Sequence, residues 1–237
     1  MVPSKPMIDQ VSAEAKTEQW VRGLKILSIF VVAGAVLLAG YGFWMKRQET
    51  KALQAFSTLA AADIIEVRAL REVKILSQDP VEALRESAQT EQTAYVAALE
   101  KVRSEHRGTT ASHLAALRLG RWWAEAKDLT KAEAIYKDLL TELKGSDAEV
   151  YSSLASEALG VVYENAERPE DALKVYDTAL INKAATLRPL LLLGKARVLS
   201  SQKKIDEARA VYDSVVQTYP NSTYSQQARA LSVKAAL

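Results

Sequence analysis

Charge vanishes from the chain between Ile26 and Met45, ILSIFVVAGAVLLAGYGFWM, and returns at once with Lys46-Arg47. As a helix rising ~1.5 Å per residue, this stretch is roughly 30 Å long, the thickness of a bilayer's hydrocarbon core. Its Ile, Leu, Val and Phe side chains favour insertion by roughly 3 to 6 kcal/mol in sum. Trp20 precedes the stretch, and Tyr41, Phe43 and Trp44 close it, where aromatic rings suit membrane interfaces. The pattern predicts a transmembrane helix over 23–46. Ala33-Gly34-Ala35 resembles a signal-cleavage site, but cleavage there would strand Val36–Trp44, a second apolar run, on the product. The segment is therefore read as an uncleaved anchor. Basic residues lie on both sides, Lys5, Lys16, Arg22 and Lys25 before it, Lys46, Arg47 and Lys51 after it. Their balance leans toward a cytosolic N-terminus and a translocated C-terminal domain.

Elsewhere the apolar positions recur at helical spacing. Residues 1–22, with Pro3 and Pro6, read as a short flexible tail. Beyond the anchor, Leu53, Phe56, Leu59, Ile64 and Leu70 continue a helix that Asp79-Pro80 should break. A further helix carries Leu84, Tyr95, Leu99 and Val102 and stops at Arg107-Gly108-Thr109-Thr110, where a hydroxyl can cap the next helix. Residues 47–108 thus form a helical linker, with YVAALEKV at 95–102 reading as the second helix of a degenerate first repeat.

From 109 to 237 a phrase repeats: KAEAIYKDLL, DALKVYDTAL and EARAVYDSVV. Ala132, Ala172 and Ala208 recur 40 and then 36 residues apart. Gly120, Gly160 and Ala196 stand at one fixed offset before them, followed by Trp123, Tyr163 and Leu199. The arrangement resembles the tetratricopeptide repeat, whose signature is Leu-Gly, an aromatic, then Ala and a second aromatic. The resemblance implies a tetratricopeptide-like α-solenoid, so that with the predicted N-terminal transmembrane helix before it the chain is expected to be all-α. Small residues would let paired helices approach, and the aromatics would fill the space between one pair and the next. The turns AKDLTK, AERPED and SQKKIDE each offer a cap candidate. Repeat spacing above the usual ~34 residues requires long turns between repeats.

Composition excludes several functions. Cys is absent, which removes disulfides, zinc–thiolate sites and thiol catalysis. Lys+Arg number 31 and Asp+Glu 29, so bulk charge does not suit nucleic acid. No phosphate-cradling G-x4-GK[ST] or G-x-G-x-x-G occurs. His106 and His113 lack the i,i+4 spacing of a helical metal site. Glu170-Asp171 and Asp206-Glu207 fall at helix starts, where capping and dipole roles explain them. Trp123 takes the aromatic core position and Trp122 reads as inter-repeat packing. No catalytic residue, metal or cofactor is expected, and the chain reads as a non-enzyme.

One family shares this layout. TEQWVRGLKILSIFVVAGAVLLAGYGFWMKRQETKALQAFSTL and HLAALRLGRWWAEAKDLTKAEAIYKDLL resemble the ancillary SecYEG translocon subunit family (YfgM-like proteins). The resemblance implies a single-pass protein of the bacterial inner membrane with a periplasmic repeat domain. It would contact the bilayer through 26–45. Its partners would be the translocon, periplasmic chaperones or secreted clients. The alternative is a structural subunit of a larger envelope complex.

Repeat arrays bind partners along their first helices. The resemblance places candidate groove positions at Leu114, Leu117, Arg121, Ala124 and Glu125 in the first repeat. The second supplies Leu154, Glu157, Val161, Glu164 and Asn165, and the third Leu190, Leu193, Arg197 and Ser200. Leu117 and Arg121 stand where some repeats clamp a C-terminal carboxylate, so that clamp is not supported. The apolar share suits an amphipathic helix or an extended apolar segment. The chain's own helix from 81–106 is the competing occupant.

Overall fold

Sparse Gly and Pro leave helix formers uninterrupted, and the described residues fold almost wholly as α-helices. The computed structural model describes residues 7–78, 82–143, 148–181 and 187–235; the side chains of 7–36, 72, 75–78 and 82–85 lie outside that description. The helices are α1 (Met7–Gln78), α2 (Glu82–Glu105), α3 (Thr110–Glu125), α4 (Leu129–Glu142), α5 (Ala148–Asn165), α6 (Pro169–Leu180), α7 (Arg188–Ser201), α8 (Ile205–Thr218) and α9 (Thr223–Ala235). The chain divides into two units, Met1–Lys51 and Ala52–Leu237.

In the first unit, α1 begins at Met7, inside the stretch expected to be a tail. Ala13, Glu14, Ala15 and Lys16 are helix formers, and no proline follows Pro6 to stop them. Leu37, Leu38, Tyr41, Phe43, Trp44 and Met45 are each more than half exposed. Tyr41 and Trp44 stack with centroids 6.1 Å apart. Among the described residues no helix is long and apolar enough to cross a membrane. The expected membrane segment, 26–45, falls largely on residues whose side chains lie outside the description.

The second unit stacks helical hairpins through successive shared cores. Ala55, Leu59 and Ala62 of α1 meet Tyr95, Leu99 and Val102 of α2 and Ala111, Ala115 and Leu119 of α3. Helix α2 thus shares one packed layer with α1 and α3. A second core joins Ala132 and Tyr136 of α4 to Tyr163 of α5, Tyr176 of α6 and Leu191 of α7. A third joins Ala196, Tyr212 and Ala228 across α7, α8 and α9. No hairpin buries its apolar face alone, and each core borrows from the next repeat.

The α3–α4, α5–α6 and α7–α8 hairpins close with the same turn. Lys127, Glu167 and Lys203 adopt positive φ, 65°, 57° and 63°. The residue after each donates back to the first helix: Asp128 to Trp123 O at 2.9 Å, Arg168 to Tyr163 O at 2.8 Å, Lys204 to Leu199 O at 3.0 Å. These are left-handed caps that usually favour glycine. Side-chain capping differs among them. Thr109 and Asp128 cap α3 and α4 through their side chains. No side chain caps α6 or α8, where Glu170-Asp171 and Asp206-Glu207 instead sit in the first turn. The long inter-repeat turns fall on 144–147 and 182–186, outside the described residues.

The tyrosines do not merely fill gaps between repeats. Tyr136 lies on Gly120 of its own hairpin: a Cβ added at Gly120 would stand 2.5 Å from its ring. Tyr176 lies on Gly160 of its own hairpin and also on Gly194 of the next.

Candidate functional site

The stacked first helices leave a groove between α3 and α5. Their i, i+3, i+4 and i+7 positions turn one face of each helix toward it. Leu117, Arg121, Ala124 and Glu125 line one wall; Leu154, Glu157, Val161 and Asn165 line the other. Tyr136, Ala158 and Val162 contribute between them, and the groove holds about 600 Å³. Eight of the fourteen positions proposed from the sequence, Leu117, Arg121, Ala124, Glu125, Leu154, Glu157, Val161 and Asn165, thus share one surface. Among the described residues none from α2 lines this groove. Helix α2 is engaged elsewhere: Tyr95 meets Trp122 edge-on at 5.7 Å, and Arg103 pairs with Asp138 of α4. The described part of the competing occupant, 86–106, packs away from the groove.

Other predicted positions go elsewhere. Leu114 packs against the α1–α2–α3 core. Leu193 is 4% exposed inside the α7–α8–α9 core, so it is unavailable at the surface. Leu190 is half-buried. Glu164 and Arg197 pair with each other: Arg197 donates Nε to Oε2 at 2.7 Å and Nη2 to Oε1 at 2.8 Å. Tyr176 Oη donates to Glu164 Oε1 at 3.0 Å. This fork locks α5, α6 and α7 together and raises the Arg197 guanidinium pKa, chiefly through the hydrogen bonds it donates to Glu164.

Glu157 stands apart from that fork. Arg197 approaches its carboxylate only to 3.9 Å. Burial pushes its pKa up, Arg197 opposes the shift, and neighbouring Glu164 adds to it. On the facing wall Arg121 makes an exposed i,i+4 pair with Glu125 at 3.4 Å. Arg118 is held by Asp63 of α1. The groove thus has an apolar floor, Glu157 on the α5 side, and on the α3 side Arg118 and the Arg121–Glu125 pair.

Sequence reading missed Tyr136, Ala158 and Val162 as lining. Tyr136 was assigned to the repeat signature, and the other two flank positions already chosen. The helical spacing of Leu154 and Val161 would have signalled Ala158.

His106 and His113 serve different contacts. His106 Nε2 lies 3.2 Å from Thr58 Oγ1, while His113 packs on Tyr151 and stands 3.8 Å from Glu142. Trp123 receives Lys131 over its ring at 3.8 Å and packs between the first two cores.

The tetratricopeptide repeat-like domain family matches residues 18–236, nearly the whole chain. The chain belongs to that family. The tetratricopeptide assignment accounts for the three repeated hairpins and makes protein binding the expected use of the groove. No curated protein matches the chain. Among solved structures the chain is similar to YrrB, described as a TPR protein with an unusual peptide-binding site. That similarity has a TM-score of 0.40 and 15% identity, over 63% of this chain and 75% of that one.

Proposed function

We propose that this tetratricopeptide-like protein is a non-enzymatic adaptor anchored in the bacterial inner membrane. It presents its repeat domain on the periplasmic side and links the Sec translocon to periplasmic chaperones or secreted clients. The observation that carries the binding role is the apolar groove between α3 and α5, which the protein's own α2 leaves open. Apart from Tyr136, its lining residues lie outside the repeated phrase. Anchoring draws support from the charge-free run 26–45 and from the exposure of every large apolar side chain between Leu37 and Met45. The translocon link rests on the two stretches that resemble the ancillary subunit family.

Photo-crosslinkers placed at Leu117 and Val161 in cells test this reading. They should trap translocon, chaperone or secreted proteins; recovery of none above background overturns it. A reporter fused after Leu237 that is active only in the cytosol overturns the periplasmic placement.

One observation favours a second reading, a structural subunit of a larger envelope complex. Leu53, Phe56, Ile64 and Val67 form an exposed apolar stripe on α1, the kind of surface a permanent interface covers. A stoichiometric complex that survives detergent extraction supports this reading. Binding that comes and goes with client load counts against it.

A further inference from the structure

The groove is lined by two acids, Glu125, which pairs with Arg121, and Glu157 on the α5 wall, which is poorly provided for. Its side chain is 25% exposed, so most of it is away from water. Among the described residues no hydrogen bond reaches its oxygens, and its one cationic neighbour is committed elsewhere. Arg197 gives two hydrogen bonds to Glu164 and lies 3.9 Å from Glu157. A partly buried carboxylate without a close partner costs free energy. Leu154, Ala158, Val161 and Leu117 around it are apolar and cannot compensate. A residue that costs stability while lining an open groove is explained by what it recognises.

We propose that the groove selects an apolar peptide segment carrying one lysine or arginine side chain, whose cation pairs with Glu157. This rests on the groove being the partner site. The complementarity also fixes orientation. On the α3 side Glu125 is taken by Arg121, and Lys127 repels a cation placed there. The cation therefore lodges against α5, and the apolar flanks lie along Leu117, Leu154 and Val161. The pairing is charge-assisted and shielded from water, where such bonds are strongest.

The test uses the full-length chain in detergent and three fluorescent peptides. Each is a short leucine–valine segment with a central lysine, glutamine or glutamate. The lysine peptide should bind about tenfold more tightly than the glutamine peptide, and the glutamate peptide weakest of all. Glu157→Gln should erase the lysine preference, the ratio of lysine- to glutamine-peptide affinity falling to about one. The peptide comparison on the unaltered chain keeps the test independent of any folding defect in the variant. Equal binding of all three peptides, a preference for glutamate, or a lysine preference that persists in Glu157→Gln overturns the proposal. If the peptides bind equally and Val161→Glu abolishes binding, the groove reading stands and the cation assignment fails. If no peptide binds, both fall.

Discussion

Tyr176 lies between Gly160 of α5 and Gly194 of α7, so one phenol ring spaces two successive hairpins. A Cβ at Gly194 would stand 2.5 Å from the ring's Cζ, and one at Gly160 closer still. The ring is fully buried and cannot retreat. Gly194→Ala should therefore destabilise the protein by about 1–3 kcal/mol, despite alanine's better helix propensity. Chemical denaturation measures the loss. A gain in stability would show that the ring yields.

The fork from Arg197 to Glu164 ties α7 to α5. Both side chains are partly solvated, so its contribution is modest. Arg197→Met should cost about 1–2 kcal/mol by leaving Glu164 without its partner. Adding Glu164→Gln should recover part of that loss, because the orphaned charge is then gone. A double-variant cycle in urea measures the coupling. Additive effects would mean that the pair contributes nothing.

Glu157 faces Arg197 from α7, Glu164 on its own helix and Tyr136 from α4. Its raised folded pKa fixes the sign of its pH dependence. Its contribution to stability is fully present below the unfolded carboxylate value, about 4.3, and is lost as pH rises through the folded value. Glu157→Gln should thus be more stable than the parent at neutral pH, and the difference should close in acid. Melting temperatures of the two proteins across pH 4–8 check this; a difference that widens in acid contradicts it.

Lys127, Glu167 and Lys203 hold the left-handed conformation at equivalent turns. Side chains there cost about 1–2 kcal/mol, of which glycine's greater freedom when unfolded takes back about half. Lys203→Gly should stabilise by about 0.5–1 kcal/mol. Destabilisation would mean that the side chain does more than tolerate its backbone.

The helices, the three hairpins and the packing role of the repeated Ala and Tyr were legible because each is local. Propensity and a 3.6-residue period act over one helix, and the repeat multiplies the signal. The same spacing, read through the repeat's known groove positions, pointed to Leu117, Leu154, Glu157 and Val161, and the structure gathers all four. The third repeat went differently. Its small residue at the repeat's fixed offset is Ala196, yet Gly194 is the residue that receives Tyr176. Leu193 belongs to the core that α9 completes, although its spacing resembles a groove position. Nor does spacing distinguish Glu164, gripped by Arg197, from Glu157, left beside it. Charged residues at equivalent helical positions look alike along a chain. Which one is paired depends on distances between α5 and α7, and only the stacked structure sets those.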